Sequence, residues 1–251
     1  MTSRFAKYVY TSADGSETNM PERDYLGHRK FADIFAIIAH STFIGIAAAR
    51  GDIEKDSYIL LLAVMSGITA LFHLIYLYGL IYPRSENDKL PGWFQFRAGT
   101  RNTLKWAEYS ITATLGTVAL ATSNVENEPE VQIILFLIAV AVTEQTTGYA
   151  IDAVDNNVLK NSGSLLQQTI VRNFFTTFLC QAAEFGVLGI YKEYTSLPWI
   201  WYTVTWSLFG VWAGVRLVYP TISVALSELV YTWLSTTAKI GLFAAVMFDT
   251  P

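Results

Sequence analysis

Long apolar runs alternate with short polar breaks along this chain, at a spacing that suits a bilayer better than a soluble core. Seven apolar stretches, approximately 31–49, 57–82, 100–122, 131–152, 167–191, 197–218 and 222–248, are each 19 to 27 residues long. A helix of about 20 residues, rising about 1.5 Å per residue, crosses the hydrocarbon of a membrane. The breaks are short and carry charge, Pro or Gly. The pattern therefore predicts seven transmembrane helices in one all-α bundle, with consecutive helices antiparallel. Residues 1–30 are polar and lack the apolar stretch of a cleaved signal, which leaves the first membrane helix to target the chain. The predicted organisation is a polar cytoplasmic segment, 1–30, followed by one membrane domain, 31–251.

Basic residues set the orientation. The N-terminal segment carries Arg4, Lys7, Arg23, Arg29 and Lys30; the second break carries Arg84, Lys89 and Arg97; the fourth has Lys160, and Arg216 edges the sixth. The opposite side has only Arg50, Lys55 and Lys192. The excess of Lys and Arg on one side predicts a cytoplasmic N-terminus and an extracellular C-terminus. Composition agrees with a membrane protein, being 52% hydrophobic and 15% charged. The net charge of −4 comes with no basic patch, so membrane lipid is an expected partner and nucleic acid is not. Cys180 is the only cysteine, which excludes an intrachain disulfide. Neither an enzymatic activity nor a metal is expected.

Lys239 breaks the rule that membrane helices exclude charge. It lies deep in the last apolar run, where an ammonium costs several kcal/mol unless it is neutralised or used. Nine residues separate it from Phe248, about 13 Å of helix, beyond the reach of a snorkelling lysine. Counted from the predicted cytoplasmic ends, His40, His73 and Glu108 lie in three different spans, each roughly 12 to 14 Å deep. Three ionisable side chains at one level imply a shared cavity. Thr69 is one turn from His73, Thr112 one turn from Glu108, and Ser235 one turn before Lys239. Helical side chains lean towards the N-terminus, which swings the Lys239 amine towards Ser235 and the level of Glu108.

A Glu108–Lys239 pair is therefore expected, and on the residues alone it suits a structural role as well as a chemical one. The histidines suit interhelical hydrogen bonding as well as proton transfer. In chemical terms, a lysine condenses with an aldehyde to form a Schiff base. A protonated Schiff base in a dry pocket needs a carboxylate counterion, for which Glu108 is best placed. The Ser235 and Thr112 hydroxyls are expected to hydrogen-bond that ion pair. Trp206 and Phe209, mid-span in the sixth run, are candidates for a pocket wall, whereas Trp199 and Trp201 read as interfacial aromatics. Two more carboxyls are intramembrane: Glu144, near the middle of the fourth run, and Glu184, in the outer half of the fifth.

Several of these segments resemble heliorhodopsins, microbial-type retinal proteins with inverted membrane topology. KWAEYSITAT, 105–114, resembles their third-helix signature, and ELVYTWLSTTAK, 228–239, their seventh. AIIAHSTF around His40 and SGITALFH ending at His73 are similar to the family's histidine segments. The resemblance implies all-trans retinal bound covalently to Lys239 as a protonated Schiff base, with Glu108 as counterion and Ser235 beside it. It implies that Leu115, Gln145 and Gly148 touch the polyene. His40, His73 and Thr69 would line a polar cavity on the cytoplasmic side, and Asp152 stands where the family usually has a glutamate. A homodimer and a signalling partner of unknown identity are further implications. The chain departs from the family in its fifth run, which lacks a Pro-Trp element, and in its Trp-rich sixth. Glu144 and Glu184 have no clear family counterparts.

The expected function is that of a sensory or regulatory photoreceptor without net pumping. A pump needs protonatable groups on both sides of the Schiff base, whereas His40, His73, Glu108 and Asp152 cluster on the inner side. The alternative is a light-activated proton or ion conductor in which Glu108, Glu144 and Glu184 form a carboxylate chain. A retinal-free solute transporter built around Lys239–Glu108 is a third reading.

Overall fold

The computed structural model describes residues 9–11, 17–19, 22–81, 103–123, 129–152, 164–192, 194–219 and 224–249. Two short strands, β1 (Val9–Thr11) and β2 (Glu17–Asn19), pair antiparallel with Val9 opposite Asn19. The rest is helical: α1 (Glu22–Arg50), α2 (Asp52–Lys55), α3 (Ser57–Ile81), α4 (Thr103–Thr122), α5 (Val131–Asp152), α6 (Ser164–Lys192), α7 (Leu197–Val218) and α8 (Val224–Asp249). The small hairpin was not predicted. Helix α1 also begins at Glu22 rather than Phe31, within the polar segment. Its first residues are charged, and acidic residues favour a helix N-terminus; an apolar run marks where a helix meets lipid, not where it begins. At its other end Gly51 adopts φ 71°, a left-handed turn that glycine makes without steric cost. Ser196 caps α7 by accepting from the Trp199 amide at 3.4 Å, with Pro198 in the first turn.

Among the described residues, five segments are long and apolar enough to cross a membrane: Gly27–Arg50, Ser57–Tyr78, Val131–Ile151, Thr169–Lys192 and Leu226–Phe248. This is the architecture of a helical integral membrane protein. Helices α4 and α7 are not among them; α4 carries Lys105, Glu108 and a series of threonines, and α7 is rich in Trp. The outward surface is apolar, with Phe31, Ile38, Phe178, Leu179 and Val211 exposed, as lipid contact requires.

The long helices form a closed ring in which each packs against the next and α8 returns to α1; α4 also reaches α6 and α8, so it is the innermost. The interior is divided lengthwise. The second half of α4, the first half of α3 and the second half of α8 build an apolar core with Leu62, Met65, Leu120, Leu242, Phe243 and Val246. The opposite half, where α1, α4 and α8 begin and α3 ends, is filled with buried charge.

Candidate functional site

The site is built around two helices. On α8, Lys239 projects into the ring; on α4, Glu108 meets it with Nζ and Oε1 2.6 Å apart. Both are buried, at 3% and 1% side-chain exposure. A pair at that distance and depth offsets much of the cost of burying either charge, whereas one partner alone costs about 3–5 kcal/mol. The expected hydroxyl contacts are not made. Thr112 donates to the Glu108 backbone oxygen at 2.8 Å, the local bond open to a helical threonine. Ser235 lies beside the Tyr109 hydroxyl without a hydrogen bond of its own. Two tyrosines take those places. Tyr76 donates to Glu108 Oε2 at 3.3 Å, and the Tyr109 ring lies beneath Lys239 Nζ with its centroid 5.1 Å away. Tyr109 is held there by donating to the Tyr231 backbone oxygen at 3.0 Å.

Towards the start of α1 and α8 the ion pair continues into a lattice. His73 Nδ1 lies 2.7 Å from Asp33 Oδ1, and Arg29 is 3.2 Å from the other Asp33 oxygen. Arg29 reaches Glu228 at 3.9 Å, and Lys105 pairs with Glu228 at 2.6 Å. Arg29, Lys105 and Lys239 thus face Asp33, Glu228 and Glu108, a set balanced within itself when the histidines are neutral. An ionised carboxylate only accepts, so His73 donates from Nδ1 and, in its neutral form, keeps a bare Nε2. That Nε2, both nitrogens of His40, Ser66 Oγ and Thr69 Oγ1 are buried with no protein partner; His40 lies in the electrostatic neighbourhood of both Lys239 and His73. A patch of such groups is what internal water satisfies. His40, His73, Thr69 and Glu108 are all buried within the ring. Asp33 was missed, although its place four residues after Arg29 on one helix face signals the pair. Tyr76 was missed for want of any charge to mark it.

A partly open cavity lies beside Lys239. Its walls include Trp106, Tyr109, Trp206, Phe209 and Tyr231, with Ser235 and Thr112 near the amine. Gln145 and Gly148 line it as expected, and Glu144 does as well. A Cβ at Gly148 would overlap the Trp106 ring, so the glycine lets that indole form the wall. Trp206 stacks on Tyr202 with centroids 4.3 Å apart, and Phe209 lies between Tyr109 and Tyr231. Leu115, expected at the chromophore, packs against the apolar core instead. Trp199 and Trp201 turn inward rather than to the interface, donating to the backbone oxygens of Phe185 at 3.1 Å and Ala238 at 3.2 Å. Buried indole N–H groups need an acceptor, and those two carbonyls supply it.

Asp152 ends α5, and its side chain is outside the described residues. Glu144 and Glu184 do not join Glu108 in one chain. They lie in a second polar cluster with Gln181, Thr117 and Tyr202, set in the apolar half. No family model, curated protein or solved structure matches this sequence or its fold. What the geometry offers chemically is a buried primary amine, a matched carboxylate, a set of buried polar atoms without protein partners and an aromatic slot.

Proposed function

We propose that the chain is a light-absorbing retinal protein of the heliorhodopsin kind. In this reading it is a seven-span, multi-pass protein of the cell membrane, with its N-terminus in the cytoplasm and its C-terminus outside. One observation carries the proposal: the Lys239 amine sits on the wall of an aromatic cavity with a buried carboxylate, Glu108, 2.6 Å away. All-trans retinal is an elongated apolar aldehyde. It demands an amine, an anion to balance the charge of its linkage, and a dry slot for its polyene and ring. Lys239, Glu108, and the walls formed by Trp106, Trp206, Phe209 and Tyr231 fit those demands in that order.

Bound retinal would supply visible absorption and light-driven isomerisation, joined to Lys239 through a protonated Schiff base formed with loss of water. The chain's own residues would do the rest. Glu108 balances the positive charge at the lysine nitrogen, and Tyr76 orients that carboxylate. Trp206 and Phe209 exclude water from the slot. On the inner side, Asp33 fixes the His73 ring through Nδ1 at 2.7 Å and leaves Nε2 bare. The balanced lattice closes the cytoplasmic end, so the proton stays within the chain and the readout is conformational. This favours a sensory or regulatory photoreceptor, whose partner would be a further protein, over a pump or an enzyme.

The Glu144–Glu184 cluster favours a second reading, a light-activated proton conductor, because it places protonatable groups beyond Glu108 on the other side. The decisive experiment is expression with all-trans retinal, comparing wild type with Lys239→Ala. Colour in the first and none in the second is expected; a coloured Lys239→Ala chain, or a colourless wild type, overturns the retinal assignment. Voltage clamp under illumination separates the two readings, since the photoreceptor carries no current.

A further inference from the structure

Glu144 and Glu184 are buried carboxyls that the Lys239 chemistry does not use. Glu144 projects from α5 at 5% exposure and Glu184 from α6 at 0%. Thr117, which touches Glu184, lies nine residues beyond Glu108 on α4, so about 13 Å of helix separates the two levels. Gln181, which donates to Glu144, lies one turn before Glu184 on the same face of α6, so the two carboxyls belong to one polar cluster. The groups that face them are neutral in charge: Thr117 on α4, Gln181 and the Cys180 thiol on α6, and Tyr202 on α7. Among the described residues no lysine, arginine or histidine pairs with either glutamate.

Hydrogen-bond satisfaction shows what is missing. Glu184 Oε1 lies 2.5 Å from Thr117 Oγ1 and 2.6 Å from the Tyr202 hydroxyl. Glu144 Oε1 accepts from Gln181 Nε2 at 2.6 Å. The second oxygen of each glutamate, Oε2, is buried and has no donor. Two ionised carboxylates facing each other without a cation would each bear the cost of an uncompensated buried charge, several kcal/mol, and would repel. A single proton between them supplies the missing donor to both bare oxygens. The remaining negative charge is spread over four oxygens and held by the donors Thr117, Tyr202 and Gln181.

We propose that Glu144 and Glu184 share one proton and form a proton-binding site on the cavity wall, separate from the ion lattice around Lys239. The ligand is the proton itself. Because Glu144 lines the cavity, the site exchanges its proton with a group moving in that space. Gln181 secures the arrangement by donating to both Glu144 and the Trp206 backbone oxygen, the latter at 3.2 Å, which ties the pair to the aromatic wall.

The site needs no chromophore, so the test is infrared spectroscopy of the purified chain before retinal is added. Its failure is then distinguishable from failure of the retinal reading. Wild type is expected to show a carboxylic-acid carbonyl band near neutral pH that shifts when glutamate, but not aspartate, is isotope-labelled. Glu144→Gln and Glu184→Gln should each abolish the band, because the new amide donates to the remaining carboxylate in place of the proton. A wild type without the band, a band that shifts only with labelled aspartate, or a band that survives both substitutions overturns the proposal. Loss in only one variant assigns the proton to that glutamate alone and overturns the sharing. The labelling arm stands without any variant, so poor folding of a glutamine substitution does not remove the test.

Discussion

The two polar clusters inside this bundle solve the same problem in opposite ways. At the end where α1, α4 and α8 begin, each buried carboxylate among the described residues has a cation, as Asp33 has Arg29, Glu228 has Lys105 and Glu108 has Lys239. In the apolar half, Glu144 and Glu184 have hydroxyls, an amide and each other. Charge is balanced by charge in the first; in the second a shared proton halves it and hydrogen-bond donors hold the rest. The difference teaches which substitutions each region tolerates: the lattice depends on keeping its charges, and the carboxyl pair depends on keeping its hydrogen-bond donors.

The sharpest break in that comparison is Glu108→Gln. It leaves the Lys239 ammonium buried without its anion, at a cost of about 3–5 kcal/mol. Deprotonating a lysine instead, from an ordinary pKa near 10.4 to neutral pH at about 1.36 kcal/mol per unit, costs a similar amount. Thermal unfolding of the retinal-free chain in detergent should show the loss, and the loss should shrink as pH rises, because neutralising the amine becomes cheaper. With retinal added, the absorbance should move to the red, since the anion no longer holds the positive charge at the nitrogen. An unchanged melting curve and an unchanged spectrum would mean that Glu108 does not balance Lys239.

Asp33→Asn comes next, with a loss of about 1–3 kcal/mol. Arg29 keeps Glu228, and the asparagine oxygen still accepts from His73, so the lattice is weakened rather than broken. What should change is the histidine. An amide presents both donor and acceptor, so His73 loses the constraint that keeps its proton on Nδ1. Nitrogen NMR of the ring should report a mixed tautomer in the variant and a single one in wild type; identical spectra would remove Asp33 from any role in setting His73.

Much of this was legible in the sequence, and the illegible part has one physical cause. The runs at 131–152 and 197–218 coincide with α5 and α7, and 57–82 ends one residue beyond α3. Apolar length is a direct consequence of bilayer thickness, so it survives without an alignment. Lys239–Glu108 was legible because depth along a helix can be counted in residues. Rotation about a helix axis cannot be counted in that way. Depth placed Glu144, Glu184 and Glu108 in one chain, whereas their facing directions send Glu108 to Lys239 and the other two to Gln181, Thr117 and Tyr202. Thr112 misled for the same reason: it is at the correct height, but its hydroxyl bonds to its own helix. Gln181 carried a usable signal, lying three residues before Glu184 on the same face of α6, where a polar pair in a lipid-embedded helix marks an inward-facing stripe.

Glu184→Gln sharpens the comparison from the other side. It is the same chemical change as Glu108→Gln, yet the expected stability cost is about 1 kcal/mol or less. The glutamine oxygen keeps accepting from Thr117 and Tyr202, and its amide supplies a donor to Glu144. Equal losses for the two substitutions would mean that both clusters depend on charge, and would erase the distinction drawn between them. If illumination drives a proton current through the retinal-loaded chain, the same variant should remove it, because an amide does not relay a proton.

The smallest expected effect lies one helix away, at Gly210→Ala. A Cβ there would sit 3.1 Å from Gln181 Oε1, so the amide must shift by a few tenths of an ångström. Replacing a helical glycine by alanine gains about 0.8–1.0 kcal/mol in propensity, and moving a hydrogen-bonded side chain costs about as much. The melting temperature should therefore barely change. The carboxyl pair should still register the shift, because Gln181 is the donor that holds Glu144. Its carbonyl band should move in frequency without being lost, a change that leaves the lattice around Lys239 untouched. A band that stays in place while the melting temperature falls would show that Gly210 matters for packing against α6 and that Gln181 does not control the proton.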